Sequence, residues 1–390
     1  MKNETRVIDT SIDKLKRIYH ISDIQIRNLK RHKEFELVFN KLYEEIKKQP
    51  EDSVVYIGGD IAHSKTEMSP ELVDQLSRLF KNLSDIVPTI IIAGNHDCNL
   101  NNQHRLDVLT PIVENLNHPN LYYFKDSGVY KFADVSFVVW DVWDKEEDYL
   151  RAENVEGDTK VLLYHGTVDQ SLTDLGFKLP SKVKMESMDG FDMVLLGDIH
   201  KMQTLQEYDK SSGKPIIRYC GSLVQQNYGE ALLGHGISVW DVESRTFTHK
   251  ELPNDYGHIT IDVVDGKIVT EDWATLVPKN GRLRLRSKNT TDTELKKVLS
   301  IIKNDNPKLS ESKIYKVDSI ITDNSTGNKI SIGDVSNVDY QNELILNYVK
   351  DEYFVDDNTE LKIKEINDEL NQVLPEEDVQ RNINWKIKKF

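Results

Sequence analysis

The chain has only two cysteines in 390 residues, Cys98 and Cys220, which is too few for a framework of disulfide bridges and suits a reducing compartment. Long apolar runs are also missing. The longest, such as VSFVVW and TIIIAG, are strand-sized and far short of a membrane-spanning helix, and the N-terminal MKNETRVIDT carries no apolar signal region. These absences predict an intracellular protein outside any membrane, in the cytoplasm or, in a eukaryotic or virus-infected cell, the nucleus. A surplus of positive charge is absent as well: 65 acidic residues stand against 50 basic ones, for a net charge of −15. That excludes wrapping of nucleic acid by a broad coat of lysines. A nucleic-acid substrate stays open if bound cations and a partner bring the positive charge.

What is present reads as a large layered domain with a smaller appendage, since one hydrophobic core rarely grows past about 250–300 residues. In the first half, short apolar strands alternate with helical periodicity. RIYHISD precedes a segment from Lys33 to Lys48 whose Phe35, Val38, Phe39, Leu42, Tyr43 and Ile46 recur at helical spacing; SVVYIGGD precedes SPELVDQLSRLFKNL, and PTIIIAGNHD precedes RLDVLTPIVENL. Strand, polar loop and helix repeat, which predicts an α/β core with its loops gathered at the strand ends. After Asp126 the pattern turns strand-rich.

Polar ligand-type residues stand at those strand ends. Asp23 follows the first strand, Asp60 closes GGD, and Asn95, His96 and Asp97 close GNHD; His165 stands in YHG, and Asp198 and His200 in GDIH. Carboxylates, an amide carbonyl and imidazoles make a mixed O/N donor set suited to Mn²⁺, Fe²⁺ or Zn²⁺. One carboxylate shared by two ions would clamp both the attacking and the leaving oxygen of a phosphoryl group. Taken singly, each residue has a plainer reading: Asp23 as a helix cap, Asp60 and Asn95 as turn residues, His165 and His200 as core histidines. Only the ordered set selects the metal site. Cys98 reads as a small packing residue, and His20, His32, His104, His118, His235, His249 and His258 as surface or structural residues.

The series D-x-Q, GGD, GNHD, HG and G-x-x-H, together with GGDIAHSKTEMSPELV, IIAGNHD and YCGSLVQQNYGE, resembles the calcineurin-like metallophosphoesterases, and within them the SbcD-type DNA-repair nucleases. The resemblance covers residues 17 to 245. It implies a four-layer α-β-β-α sandwich of two mixed sheets over residues 1–252, a small α+β capping domain over 253–333 and a helical region over 334–390 that docks on an SMC-like ATPase. It also implies a homodimer acting on DNA. Two divalent ions are implied, Mn²⁺ foremost, with Mg²⁺, Fe²⁺ or Zn²⁺ as alternatives. Asp23, Gln25 and His200 would hold the first and Asn95, His165 and Asp198 the second, with Asp60 bridging. His96 and His63 match phosphate-contacting histidines. Gln25 and Asp198 stand where the family carries histidine, and both keep a ligating oxygen. The implied reaction is phosphodiester hydrolysis. A phosphomonoesterase or cyclic-nucleotide phosphodiesterase, and a DNA-end-binding scaffold with weakened catalysis, are the alternatives.

Three further readings concern the C-terminal part. Arg282, Arg284 and Arg286 alternate along a strand and read either as a phosphate-contacting stripe or as a solvated edge. The amphipathic NVDYQNELILNYVKDEYF and TELKIKEINDELNQVL read as partner-docking helices or as helices packed on the cap. NINWKIKKF resembles the opening strand of an SbcC-type ATPase head, which suggests a nuclease–ATPase fusion, or reads as a plain terminal strand.

Overall fold

A computed structural model describes residues 5–174, 176–309, 311–316, 321–322, 329–330, 359 and 362. The chain runs β1 (Thr5–Ile8), β2 (Arg17–Ile21), α1 (His32–Ile46), β3 (Ser53–Gly58), α2 (Pro70–Ile86), β4 (Thr89–Ile92), α3 (Thr110–Leu116) and β5 (Leu121–Tyr123). Then follow β6 (Gly128–Phe132), β7 (Val135–Trp140), β8 (Thr159–His165), β9 (Met193–Gly197), β10 (Gln203–Gln206), β11 (Ile216–Tyr219), β12 (Gly236–Asp241) and β13 (Thr246–Glu251). They form two sheets, ordered β1-β6-β7-β8-β9-β11-β10 and β13-β12-β2-β3-β4-β5.

Burial explains the order. β3 and β4 are buried along their whole length, as expected for parallel strands covered on both faces. In β3, Val54 and Tyr56 face the core between the sheets, where Phe132, Phe137, Val161, Leu163, Met193 and Leu195 of the other sheet meet them. Val55 and Ile57 face the opposite way, onto Phe35, Phe39 and Leu42 of α1 and Leu76, Leu79 and Leu83 of α2. Ser69 caps α2 by accepting from the Leu72 N–H at 3.3 Å, with Pro70 opening the helix, where a missing N–H costs nothing. The helix stops before Pro88.

The outer face of the seven-stranded sheet is covered differently. Trp140, Tyr164, Leu196 and Tyr219 pack against Tyr149, Leu150, Val155, Met188 and Phe191, which belong to loops carrying three short 3-10 turns, Glu146–Asp148, Ala152–Asn154 and Met185–Met188. Segment 141–158 is crowded with Asp and Glu, and segment 166–192 is broken by Gly166, Gly176, Pro180 and Gly190. They lack the apolar repeat a long helix needs, so this outer layer is built of turns.

By contacts the chain divides into one unit of Met1–Ile261, Glu271–Arg284 and Ser300–Lys313, and a second of Asp262–Thr270, Leu285–Leu299 and Ile314–Phe390. Beyond the sandwich come β14 (Tyr256–Val264), β15 (Lys267–Ile268), α4 (Trp273–Leu276), β16 (Asn280–Lys288), α5 (Asp292–Asp305) and β17 (Glu311–Lys316), whose strands order β15-β14-β16-β17. In the first unit Arg282 is buried and paired with Glu34 at 2.8 Å, and Arg284 donates to Thr260 at 2.9 Å. In the second, Arg286 forks onto both oxygens of Asp262, and Thr291 with Glu294 forms a reciprocal cap at the start of α5. The three arginines are thus held by partners and form no bare stripe. The predicted docking helices of 334–390 and the terminal strand lie outside the described residues, apart from positions 359 and 362.

Phe137 is fully buried between the sheets, with its ring 6.4 Å from Phe124 and from Phe132. Phe137→Ala is expected to lower the stability of the sandwich by about 3–5 kcal/mol in urea unfolding, because the rigid sheets cannot collapse onto the void.

Candidate metal centre

β2, β3 and β4 of one sheet and β8 and β9 of the other end at the same edge of the sandwich. The Gly58 carbonyl ties them together, accepting from Ser22 Oγ at 3.0 Å and from His165 Nδ1 at 2.6 Å. The loops leaving these strands are sharply bent: Asp23, Gln25, Asp60 and Asp198 have φ of 51°, 48°, 51° and 96°. Left-handed backbone at a non-glycine residue costs about 1–3 kcal/mol and persists only where the surroundings impose it, commonly at functional sites. Gly94 is required here, since a Cβ would collide with the Asp60 carboxylate and its backbone N–H.

The bends bring the predicted side chains together. Asp23, Asp60 and His165 are all buried, and their ligand atoms lie within 4.8 Å of one another. His165 gives its Nδ1 proton to Gly58, leaving a buried Nε2 that lies 3.3 Å from Asp60 Oδ1 without hydrogen-bond geometry. Asn95 Oδ1 is buried with no partner at all. A buried acceptor left unpaired is costly unless something electropositive meets it. His200 Nε2 lies 3.9 Å from Asp23 Oδ1, and Asp198 Oδ1 lies 3.9 Å from His165 Nε2. Orphaned Nε2 and Oδ1 atoms beside two buried carboxylates are what a divalent cation would satisfy, so the residues present fit such an ion.

The electrostatics agree. Burial pushes the Asp23 carboxyl up, with His165 and His200 opposing. Burial opposes a charge on His200 too, but the hydrogen bond to Glu230 and the field of Asp23 raise it to about 9, and Asp60 raises His165 in the same way. The carboxylates thus hold protons on imidazoles at positions where a cation would compete for the same field.

Gln25 sits in the middle. Its Nε2 lies 3.0 Å from His200 Nε2 and 3.4 Å from Asp60 Oδ2, and its Oε1 lies 3.1 Å from His63 Nδ1. The His63 ring stacks on His96 at 5.5 Å, and His96 Nδ1 donates to the His63 carbonyl at 2.7 Å. His96 is the more open of the site residues, with its side chain 40% exposed, and its backbone N–H donates to Asp60 Oδ1. Cys98 is buried, its thiol pushed up to about 12 by burial, and it donates to the Gly94 carbonyl as a packing residue.

Three partners were not assigned from the sequence. Glu230 accepts from His200 Nδ1 at 2.8 Å, Thr167 donates to Asp198 Oδ2 at 2.7 Å, and Asp97 ties the GGD and GNHD loops together. Only chemistry hints at Glu230, since a ligating histidine usually hands its other N–H to a carboxylate. Glu230→Ala is therefore expected to weaken Mn²⁺ binding about 10- to 100-fold in calorimetric titration while leaving the thermal unfolding profile of the sandwich in place.

Comparison with known proteins follows the same lines. The calcineurin-like phosphoesterase family model matches residues 16–217. The chain is 40% identical over 306 residues to an uncharacterized protein of Acanthamoeba polyphaga mimivirus, covering 75% of this chain but only 22% of that protein, so it spans about a fifth of that relative. It is 25% identical over 273 residues to the SbcD component of the SbcCD nuclease of Staphylococcus epidermidis, covering 62% of this chain and 67% of that one. Among solved structures, GAP50, the anchor in the inner membrane complex of Plasmodium, matches with a TM-score of 0.33 at 12% identity, over 61% of this chain and 89% of that one. With the family model spanning more than half of the residues and the donors converging at one sheet edge, this chain belongs to the calcineurin-like phosphoesterases.

Proposed function

We propose that the chain is a metal-dependent DNA nuclease that hydrolyses phosphodiester bonds by direct attack of water, in the manner of SbcD-type nucleases. The observation that carries this reading is the stacked pair His63 and His96 at the open side of the donor cluster. Asp23, Gln25 and His200 would hold one divalent ion and Asn95, His165 and Asp198 a second, with Asp60 shared between the two sets. These mixed oxygen and nitrogen donors suit Mn²⁺, Fe²⁺ or Zn²⁺, and the likeness to SbcD-type nucleases puts Mn²⁺ first, with Mg²⁺ also open. When bound, such ions supply a water of lowered pKa and neutralise the phosphoryl oxygens. His96, oriented through its Nδ1, protonates the departing oxygen. His63 stabilises charge on the phosphoryl group.

DNA, a second copy of the chain and an SMC-like ATPase are the proposed partners. Residues 253–333 serve as a cap and 334–390 as the ATPase-docking region. The name of the Staphylococcus relative, a subunit of a nuclease at 25% identity, supports a partner subunit.

Gln25 favours one second reading, a scaffold that binds DNA ends with weak catalysis. The amide nitrogen occupies the place of a ligand atom, and coordination needs the side chain turned so that Oε1 faces Asp60 and His200. His63 permits that turn. Burial, Arg27 and His96 hold its pKa below the usual value, so the ring is neutral and its Nδ1 can accept from the turned amide.

The test is cleavage of end-labelled single- and double-stranded DNA in Mn²⁺. The wild-type chain is expected to cut, and His96→Ala to lower the rate about 10²–10⁴-fold. Silence from wild type with cleavage restored in Gln25→His would replace the nuclease by the scaffold. Turnover of a small phosphomonoester with none of DNA would replace it by a phosphomonoesterase.

A further inference from the structure

Arg27 stands two residues beyond Gln25, on a stretch laid against the loop after β3. His63 donates its backbone N–H to the Ile26 carbonyl at 3.0 Å, and Ile26 bridges Ala62 in parallel. Ile24 and Ile26 are fully buried in the core beneath, and the Arg27 carbonyl lies 2.8 Å from His32 Nε2, so the backbone carrying Arg27 is fixed on both sides.

The side chain differs from the arginines of the same unit around it. Arg31 holds Glu34 at 2.8 Å and the Gln225 carbonyl at 2.6 Å; Arg282 holds the other Glu34 oxygen, and Arg284 holds Thr260. Arg27 Nε is buried without a partner, and among the described residues no carboxylate pairs with the guanidinium. A guanidinium cannot shed its proton to escape burial, so the buried Nε of this half-buried side chain has lost water without gaining a replacement. The parallel bridge of Ile26 with Ala62 and the His63 N–H bond to Ile26 set Arg27 beside His63, which reaches the donor cluster through Gln25.

We propose that Arg27 binds a backbone phosphate of the substrate strand, next to the phosphate faced by His63 and His96. The proposal rests on reading the site as one for phosphodiesters. A planar fork of N–H donors fits phosphate oxygens two at a time, and an incoming anion would supply the partner that the fold withholds. A strand with consecutive phosphates would gain this contact, whereas an isolated phosphoester would not.

The test is fluorescence-anisotropy titration of the full chain with a short single-stranded oligonucleotide, with Ca²⁺ replacing Mn²⁺ to block cleavage, over a range of salt. Arg27→Gln is expected to weaken binding about tenfold or more and to lower the slope of log affinity against log salt by about one. Arg27→Lys, which keeps the charge without the fork, should restore the slope and part of the affinity. Lys14→Gln, which removes an exposed charge elsewhere, should alter neither. Unchanged affinity in Arg27→Gln, an affinity loss with an unchanged slope, or no binding by wild type would each overturn the proposal. Cleavage in Mn²⁺ is scored separately: binding that depends on Arg27 without cleavage keeps the phosphate contact and removes the nuclease.

Discussion

One carboxylate holds the site loops in register. Asp97 is fully buried and accepts backbone N–H groups from Ile61 and Ala62 of the loop after β3 and from Gly94 of the loop after β4, at 2.9–3.2 Å. Burial and the charge of Asp60 raise its pKa, and the three N–H groups oppose that rise. A carboxylate buried among donors that no other group satisfies is a demanding interaction, and each end needs the other. With Asp97 in place, Gly94 is drawn against Asp60, the His96 N–H reaches Asp60 Oδ1, and the bent backbone at Asp60 has somewhere to rest. The last residue of GNHD thus acts through architecture, while its neighbours Asn95 and His96 face the chemistry.

The same dependence explains which parts of the molecule were legible in the sequence. The strand ends were, because an apolar run that stops at Asp60 or His165 marks both the strand and its exit. α1 and α2 were, since their core residues recur with the helical period and Ser69-Pro70 announces a start. Partners that meet only after folding were not. Glu230 reaches His200 across thirty residues, Asp97 meets Ile61 across 36, and Arg282 meets Glu34 across 248. Nothing local records such pairings. Arg282, Arg284 and Arg286 alternate regularly, which tells of a strand, but their pairing depends on where Glu34, Thr260 and Asp262 come to lie. The layer over Trp140 and Tyr219 was obscure for another reason: loops pinned by scattered aromatics bury a sheet as well as a helix does, without periodicity.

The net charge of −15 and a nucleic-acid substrate look incompatible until the charge is located. Many surface acids are already matched, as Asp52 is by Lys16 and Asp74 by Arg78. At the site the acids are buried and belong to the donor cluster, where bound cations would reverse the sign of the field. Arg27, Arg31, Arg282 and Arg284 add positive charge in the same unit, with Glu34 taking up Arg31 and Arg282. Binding of the proposed strand through a few such positive points would need no basic coat.

Charge at the centre also bears on the two altered positions. Gln25 is neutral, as an imidazole ligand is, so it changes donor strength without changing charge. Asp198 adds a carboxylate, bringing the donor set to three with Asp23 and Asp60. Two divalent ions bound there would stand against three carboxylates with a formal excess of one positive charge, where a histidine at 198 would leave two. A phosphodiester carries one negative charge and a phosphomonoester at neutral pH close to two. Ionising a bound water to hydroxide would use up that one remaining positive charge, so a carboxylate at 198 would strengthen the hold on the cations at the cost of their pull on any phosphate anion. Thr167 holds Asp198 through one oxygen and leaves the other toward His165, so the added charge lies against the donor cluster. By this count the two replacements would act in opposite directions, Gln25 weakening a donor and Asp198 adding charge to hold the same ions.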